Sequence, residues 1–254
     1  MIEAQTHPIF TPLVQGYTQW SLRGHVGAVN VRIEGRDPEP VATLFHATHV
    51  SWWDGYLGVC LSRHLGLNFR VAMLETELRK YSFLRFAGGF GFTPSETVSV
   101  REMLRYAKRE LLGPNHSSGR VSTAMFLFPS ARIVPPNLRP IPYQPGTASL
   151  AIATAKDSKP LPVRAVSWRL EHRGRARPDA FIRVGPARMV TGVETLRDLT
   201  KTLCEDLRLE ADRLEYDVTF GRLDDYSGAL RGLPSAQQGW DALRAALMPA
   251  RSNA

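Results

Sequence analysis

The stretch FHATHVSWWDG, residues 45–55, lies where an apolar strand pattern gives way to a helical one, and it decides the fold. Before it, VATLF at 41–45 combines β-branched and aromatic residues, which is typical of a strand. After it, residues 55–64 carry apolar side chains at helical spacing, and the apolar run 69–73 predicts a buried strand. A strand, a helix and a second strand in this order indicate a parallel β-α-β unit.

The same alternation continues on both sides of this unit. The patterns predict strands at 27–34, 121–128, 162–169 and 181–184, and helices at 8–23, 93–112, 146–156, 195–217 and 237–248. They therefore predict an α/β fold, a single domain whose mixed, largely parallel sheet is flanked by helices. We assign residues 1–190 to this α/β domain and residues 191–254 to a C-terminal helical extension packed on it.

Two segments between the predicted elements bear on function. Thr93-Pro94-Ser95-Glu96 has the form of a helix start, with Pro94 at the first helical position, and the helix is expected to stop at Gly113-Pro114. Residues 129–145 form a proline-rich loop after the most strand-like stretch of the chain. Long loops at strand ends often carry functional residues.

Composition narrows the class of protein. The 254 residues are 43% apolar and 22% charged, and the two cysteines, Cys60 and Cys204, are too few for a disulfide scaffold or a four-cysteine metal site. No apolar run reaches the roughly 18–20 residues that span a bilayer, and the N-terminus lacks the features of a signal peptide. We therefore expect a cytoplasmic protein that is not integral to the membrane.

The net charge of +8 is unevenly distributed along the chain. Residues 191–254 hold eight basic and eleven acidic residues, a net −3, so residues 1–190 carry +11. Between Arg164 and Arg188 the chain has seven arginines against two acidic residues. This surplus is compatible with nucleic acid, an anionic membrane surface or acidic small substrates, and a run of like charges is equally typical of a solvated face.

His49 and Asp54 are the strongest candidates for chemistry. They stand five positions apart, across the predicted turn from strand to helix. The carboxylate can fold back onto the imidazole, fix its tautomer and leave the other ring nitrogen free as a general base. The alternative interpretation is that Asp54 simply caps the following helix.

The segment His-Val-Ser-Trp-Trp-Asp-Gly resembles the first signature of the lysophospholipid (1-acylglycerol-phosphate) acyltransferase family, with Thr48 where the family usually has Asn. The resemblance implies a glycerolipid acyltransferase-like fold and a divergent bacterial member. It also implies that His49 is the general base for a lipid hydroxyl attacking the thioester of acyl-CoA or acyl carrier protein, and that Asp54 orients it. No metal and no cofactor besides this acyl co-substrate are implied.

Later signatures follow in the same order, from about Leu44 to Val166. The stretch 78–92, with Gly88, Gly89 and Phe90, resembles the second signature. Phe128-Pro129 resembles the start of the third, which continues through Arg139-Pro140 to Gly146 before a helix. Pro162-Val163 resembles the fourth.

The departures from the family concern the acceptor's phosphate. Pro94 stands where the second signature has an arginine, and Ser130 and Ala131 replace a Glu-Gly pair in the third, leaving Arg132 as a possible cation. An anion clamp needs fixed donors such as a guanidinium. We therefore expect the acceptor to be either lysophospholipid-like or an altered, hydroxylated lipid without the usual phosphate, such as a glycolipid, aminolipid or carotenoid derivative.

Several further residues are candidates for substrate binding, and for some of them a purely structural role is the alternative. Ser51, Trp52 and Trp53 are expected either to line an acyl channel or to pack, and the Gly88-Gly89 pair either admits substrate or makes a tight turn. From the third signature we add four residues, namely Phe128, Pro129, Ser130 and Arg132.

Three functions follow as hypotheses. The first is an O-acyltransferase held peripherally on the inner face of the cell membrane, where basic residues favour anionic lipid and helix 8–23 either lies in the interface or packs on the core. The second is a non-catalytic lipid-binding or scaffolding protein. A distance of more than about 5 Å between His49 and Asp54 would favour it. The third, a nucleic-acid binder, has only the charge in its favour, because no recognised nucleic-acid motif is present, and we expect no such partner.

Overall fold

The computed structural model describes residues 1–35, 41–113, 121–157 and 159–234, together with Trp240 and Arg244. Within them one sheet contains β1 (Ala28–Ile33), β2 (Thr43–Ala47), β3 (Asn68–Leu74), β4 (Gly89–Phe92), β5 (Thr123–Leu127), β6 (Leu161–Glu171), β7 (Asp179–Val184), β8 (Arg188–Val190) and β9 (Ser227–Arg231). The described helices are α1 (Phe10–His25), α2 (Asp54–His64), α3 (Glu75–Lys80), α4 (Leu84–Ala87), α5 (Thr97–Leu112), α6 (Gly146–Lys156) and α7 (Leu196–Thr219).

The sheet is mixed and largely parallel, as the sequence predicts. Its strand order is β4-β3-β5-β2-β6-β7-β1-β9, with β8 beside β6. The pairs β4/β3, β3/β5, β5/β2, β2/β6 and β7/β1 are parallel, whereas β6/β7, β1/β9 and β6/β8 are antiparallel. Strand β2 lies between β5 and β6 and is buried along its whole length, so the loop after it opens near the middle of the sheet.

Helices cover both faces of the sheet. Phe45 and Ala47 of β2 pack against the core beneath α1 and α2, while Leu44 packs on the other side, against the core beneath α5, α6 and α7. This alternation along β2 is the period of two that a strand imposes. None of the described helices is long and apolar enough to cross a bilayer.

Acidic residues of α7 form ion pairs with arginines of the basic part of the chain. Arg183 of β7 is bound by Glu210 and Asp217 of this helix, each at 2.8 Å, and Arg188 of β8 by Asp206 at 2.6 Å. Two arginines of the basic run thus meet carboxylates of the acidic C-terminal region inside the fold. Helix α7 packs on β6 and β7. The two-part division at residue 190 stays a prediction, and of the predicted helix 237–248 only Trp240 and Arg244 are among the described residues.

The predicted helix start at Thr93 is wrong. Helix α5 begins at Thr97, and Pro94 lies in a turn closed by the Glu96 amide donating to the Thr93 carbonyl at 3.1 Å. The Thr93 amide donates to Ser99 Oγ at 2.9 Å, so Thr93 does not cap the helix with its side chain. Proline's fixed φ suits the second position of a turn as well as a first helical position, so the pattern did not discriminate.

Candidate active site

The loop between β2 and α2 is fixed to the neighbouring strand β6. The Thr48 amide donates to the Val166 carbonyl at 3.0 Å, and the buried indole of Trp168 donates to the Thr48 carbonyl at 2.7 Å. The loop lies at the carboxyl end of parallel strands, which is where open α/β sheets place their ligands. His49 follows directly on this anchored residue.

His49 and Asp54 are in direct contact. Nδ1 of His49 lies 2.8 Å from Oδ2 of Asp54; the carboxylate is fully buried and the imidazole is 25% exposed. An ionised carboxylate only accepts hydrogen bonds, so the Nδ1 position carries the proton and Nε2 of the neutral ring keeps its lone pair. The arrangement provides a base oriented by a carboxylate.

Asp54 is held by the loop and not by the helix that it begins. Oδ2 also accepts from the amides of Val50 at 2.6 Å and Ser51 at 3.0 Å, and Oδ1 accepts from the Ser51 hydroxyl at 2.7 Å. The N-cap position of α2 is Trp53, which makes no side-chain capping bond. The capping alternative is therefore not seen, because the carboxylate turns back towards residues 49–51.

The three residues proposed to line an acyl channel have different surroundings. The Ser51 hydroxyl donates to Asp54 and accepts from the Trp53 backbone amide at 3.1 Å, so both of its hydrogen bonds are made within the loop. Trp53 packs against His25 and Tyr56, with ring centroids at 4.5 and 5.2 Å. Trp52 is 49% exposed and is thus the one of the three that faces solvent.

Of the third-signature residues, Phe128 lies directly beside His49. The ring of Phe128 stacks on the imidazole at 4.4 Å, and the buried Pro129 accepts from the Gln144 amide at 2.9 Å. The Ser130 hydroxyl donates to the Arg132 carbonyl at 2.8 Å. The Arg132 side chain is exposed and makes no hydrogen bond or ion pair with any residue that the structure describes.

Ala131 adopts a backbone conformation that favours glycine, with φ of 55°. Its amide donates to the Phe128 carbonyl at 3.0 Å, closing a turn. A β-carbon in the left-handed region costs roughly 1–2 kcal/mol, which gives a physical reason for glycine at this place in the family's signature.

We expect Ala131→Gly to raise the free energy of unfolding, because it removes this strain, although the added freedom of the unfolded chain offsets part of the gain. The net gain should be about 0.5–1 kcal/mol in urea unfolding. Ala124→Gly in β5, a buried position without positive φ, is the matched control and should destabilise. A loss of stability in Ala131→Gly would contradict this account.

Gly89 is not brought to the pair. It lies in β4, and β3 and β5 separate that strand from β2, so its proposed role in substrate binding has no support in this geometry. Gly88 makes the tight turn: its φ is +114°, and a β-carbon there would lie 2.1 Å from the Phe69 carbonyl oxygen. Pro94 lies in the turn that directly follows β4, so it belongs to the same edge of the sheet.

His46 is a buried structural histidine. Burial lowers its pKa to about 4, so the ring is neutral, and its Nδ1 lies 3.1 Å from the Tyr143 hydroxyl. Nε2 has no partner among the described residues. The described part of the chain contains no group of three or more His, Cys, Asp or Glu side chains that could hold a metal ion.

The tertiary contacts that hold His49 leave no signal in the local sequence. The Val134 amide donates to the His49 carbonyl at 2.8 Å, and Trp168 anchors Thr48 from β6. Both partners are more than 80 positions away in the chain, and no local pattern marks them.

The fold is similar to that of a solved lipid enzyme. The match is the 1-acyl-sn-glycerophosphate (LPA) acyltransferase PlsC from Thermotoga maritima, at 17% identity and a TM-score of 0.52, covering 81% of this chain and 82% of that one. No family model and no curated protein matches the chain. The predicted glycerolipid acyltransferase-like fold is confirmed.

Proposed function

We propose that the protein is an O-acyltransferase that moves a fatty acyl group from acyl-CoA or acyl carrier protein to a hydroxyl of a membrane lipid. The observation that carries the proposal is the 2.8 Å contact between Nδ1 of His49 and the buried carboxylate of Asp54. The fold similarity to a lipid acyltransferase supports it. A pair retained at this distance also favours an enzyme over the non-catalytic lipid-binding alternative.

The proposed reaction begins with Nε2 of His49 taking the proton of the acceptor hydroxyl. The hydroxyl oxygen attacks the thioester carbonyl carbon, a C–O bond forms, and the C–S bond then breaks. The imidazolium returns its proton to the departing thiolate, which leaves as the free thiol. Asp54 stabilises the transient imidazolium through its hydrogen bond to Nδ1.

For the acceptor we propose a hydroxylated lipid without the usual phosphate. In the proline-rich loop, Arg132 has no ion-pair partner among the described residues, whereas Arg139 is bound to carboxylates of α7. The ring beside His49 is the apolar Phe128. One exposed guanidinium does not make the fixed, multidentate clamp that phosphate recognition uses.

Lipid profiling by mass spectrometry, in cells with and without the protein, tests the proposed function and identifies the acceptor. We expect one lipid class to lose acyl groups at a single position when the protein is absent. Identical profiles under conditions where the protein is expressed would contradict the proposal, and a change confined to phosphatidic acid would contradict the altered acceptor.

A peripheral contact with the anionic inner face of the cell membrane completes the proposal. Helix α1 exposes Leu13, Tyr17 and Trp20 at 63%, 49% and 62%, at helical spacing, and it contains no acidic residue. Tyr17 contacts Phe83, and Phe83 contacts Tyr81, whose ring lies 5.3 Å from Trp52 in the candidate site loop. Exposed aromatic rings of this kind suit the lipid interface.

We expect the double variant Leu13→Glu, Trp20→Glu to bind anionic lipid vesicles at least about 100-fold more weakly, because each apolar side chain contributes about 1.5–3 kcal/mol on burial. Vesicle sedimentation measures the change. Val193→Glu is the matched control, since Val193 is 87% exposed outside this surface and should leave binding unchanged. Equal losses in both proteins would contradict a docking role for α1.

The nucleic-acid hypothesis loses part of its support. Within the run from Arg164 to Arg188, Arg183 and Arg188 are bound to carboxylates of α7, and Arg169 to Glu171. At least three of the seven arginines in this run thus have carboxylate partners in the fold. That no nucleic acid is bound stays a prediction.

A further inference from the structure

The proline-rich loop, residues 129–145, and Phe128 directly before it make two contacts with His49. The Phe128 ring stacks on the imidazole at 4.4 Å, and the Val134 amide donates to the His49 carbonyl at 2.8 Å. The loop closes on itself where the Gln144 amide donates to the Pro129 carbonyl at 2.9 Å. Both the ring and the backbone of His49 are therefore positioned by one closed loop.

Arg139 fixes the far side of this loop. Its Nη1 donates to the carbonyls of Pro136 at 3.0 Å and Leu138 at 2.9 Å, which ties the guanidinium into the loop's own backbone. Its Nε donates to Asp212 of α7 at 2.7 Å, and Nη2 lies 3.6 Å from Glu215 of the same helix. The Arg139 guanidinium thus connects the loop to α7.

The guanidinium has no free face for a substrate anion. Nη2 is shielded from solvent and has no hydrogen bond in the described structure, while Nε and Nη1 are occupied. A phosphate would have to displace Asp212 to reach it. Arg139 therefore differs from Arg132, which is exposed in the same loop.

We propose that Arg139 is a positioning residue: by clamping the proline-rich loop to Asp212 and Glu215 of α7, it holds His49 in register with Asp54. The proposal rests on the proposed acyl transfer for its kinetic meaning. It assigns α7 an indirect role in the reaction, because the helix reaches His49 through Arg139, the loop and the Val134 amide. Asp212 also binds Arg208 of α7, which holds its carboxylate in place.

Kinetics and amide exchange together test the clamp. We expect Arg139→Ala to lower kcat at least tenfold with KM for donor and acceptor within twofold, and to speed hydrogen exchange at the Val134 amide at least tenfold. Arg139→Lys should lower kcat less than Arg139→Ala does, because the lysine ammonium can still pair with Asp212. It should remain below wild type, because the ammonium cannot also bind the two loop carbonyls as the guanidinium does. Asp212→Asn, which keeps the shape of the partner, covers the case in which Arg139→Ala does not fold, and should show the same two effects.

Arg188→Ala is the matched control. Arg188 also pairs with α7, through Asp206 at 2.6 and 2.8 Å, but it lies in β8 beside the opening residues of β6 and outside the loop. It should leave kcat and Val134 exchange within twofold. A rise in the acceptor's KM alone, or unchanged exchange at Val134 in Arg139→Ala, overturns the proposal. If the unmodified protein transfers no acyl group, the proposed function fails, and the exchange measurement still decides the clamp.

Discussion

Replacing His49 with alanine is expected to lower kcat of acyl transfer by about 10²- to 10⁴-fold, because the reaction loses the general base that removes the hydroxyl proton. Asp54→Asn should fall in the same range, since the amide can present its NH₂ group to Nδ1 and stabilise the wrong tautomer. Thiol release from the acyl donor gives the rate. Circular dichroism establishes that each variant is folded.

His172→Ala is the control for these two variants. His172 is exposed after β6, and its Nδ1 contacts only the nearby Arg175 carbonyl at 3.4 Å. Its removal should leave kcat unchanged. Wild-type rates in His49→Ala would contradict the assignment of the base, and equal losses in His49→Ala and His172→Ala would point to a cause outside the site.

The largest expected effect on stability comes from Trp168→Ala, which should lower the free energy of unfolding by about 3–5 kcal/mol. The indole is 1% exposed, lies 6.1 Å from the rings of both Phe126 and Phe128, and donates to the Thr48 carbonyl. Its loss removes packing and leaves a buried carbonyl without that donor. Urea unfolding measures the change.

Trp20→Ala is the matched comparison, because Trp20 is 62% exposed on α1. Its unfolding free energy should change by about 0.5 kcal/mol or less, as is usual for surface substitutions. A similar loss in both variants would show that burial beneath the site loop does not distinguish Trp168.

The part of the site that could be predicted from sequence is the part formed locally. His49, Ser51 and Asp54 lie within one turn from strand to helix, so their spacing alone brings the side chains within reach. Val134 and Trp168 hold the same turn from other elements. Their contacts depend on strand order, which spacing along the chain does not reveal.

The fold divides in the same way. Strands with β-branched and aromatic runs, such as β2 and β5, follow from local pattern. Strand β4 has the sequence GFGF, of low strand propensity, and exists because β3 pairs with it on one side and Ile2 bridges to Gly91 on the other. Tertiary pairing overrides local preference there.

Net charge was the least informative signal. The total of +8 suggested an external anionic partner, but it sums residues without regard to their neighbours. The fold places Arg183 against Glu210 and Asp217, and Arg139 against Asp212. Ion pairs between distant segments are invisible in a charge count; they leave the net charge unchanged but determine which charged groups remain free on the surface.

The most direct test of the central claim is thiol release by the purified protein, given acyl-CoA or acyl carrier thioester together with a bacterial lipid extract. We expect release that depends on the lipid extract, that is matched by new ester in the lipid fraction, and that is lost in His49→Ala. Thiol release unchanged in His49→Ala, or no ester formed with either donor, would contradict the claim that His49 and Asp54 form the base of an acyltransferase.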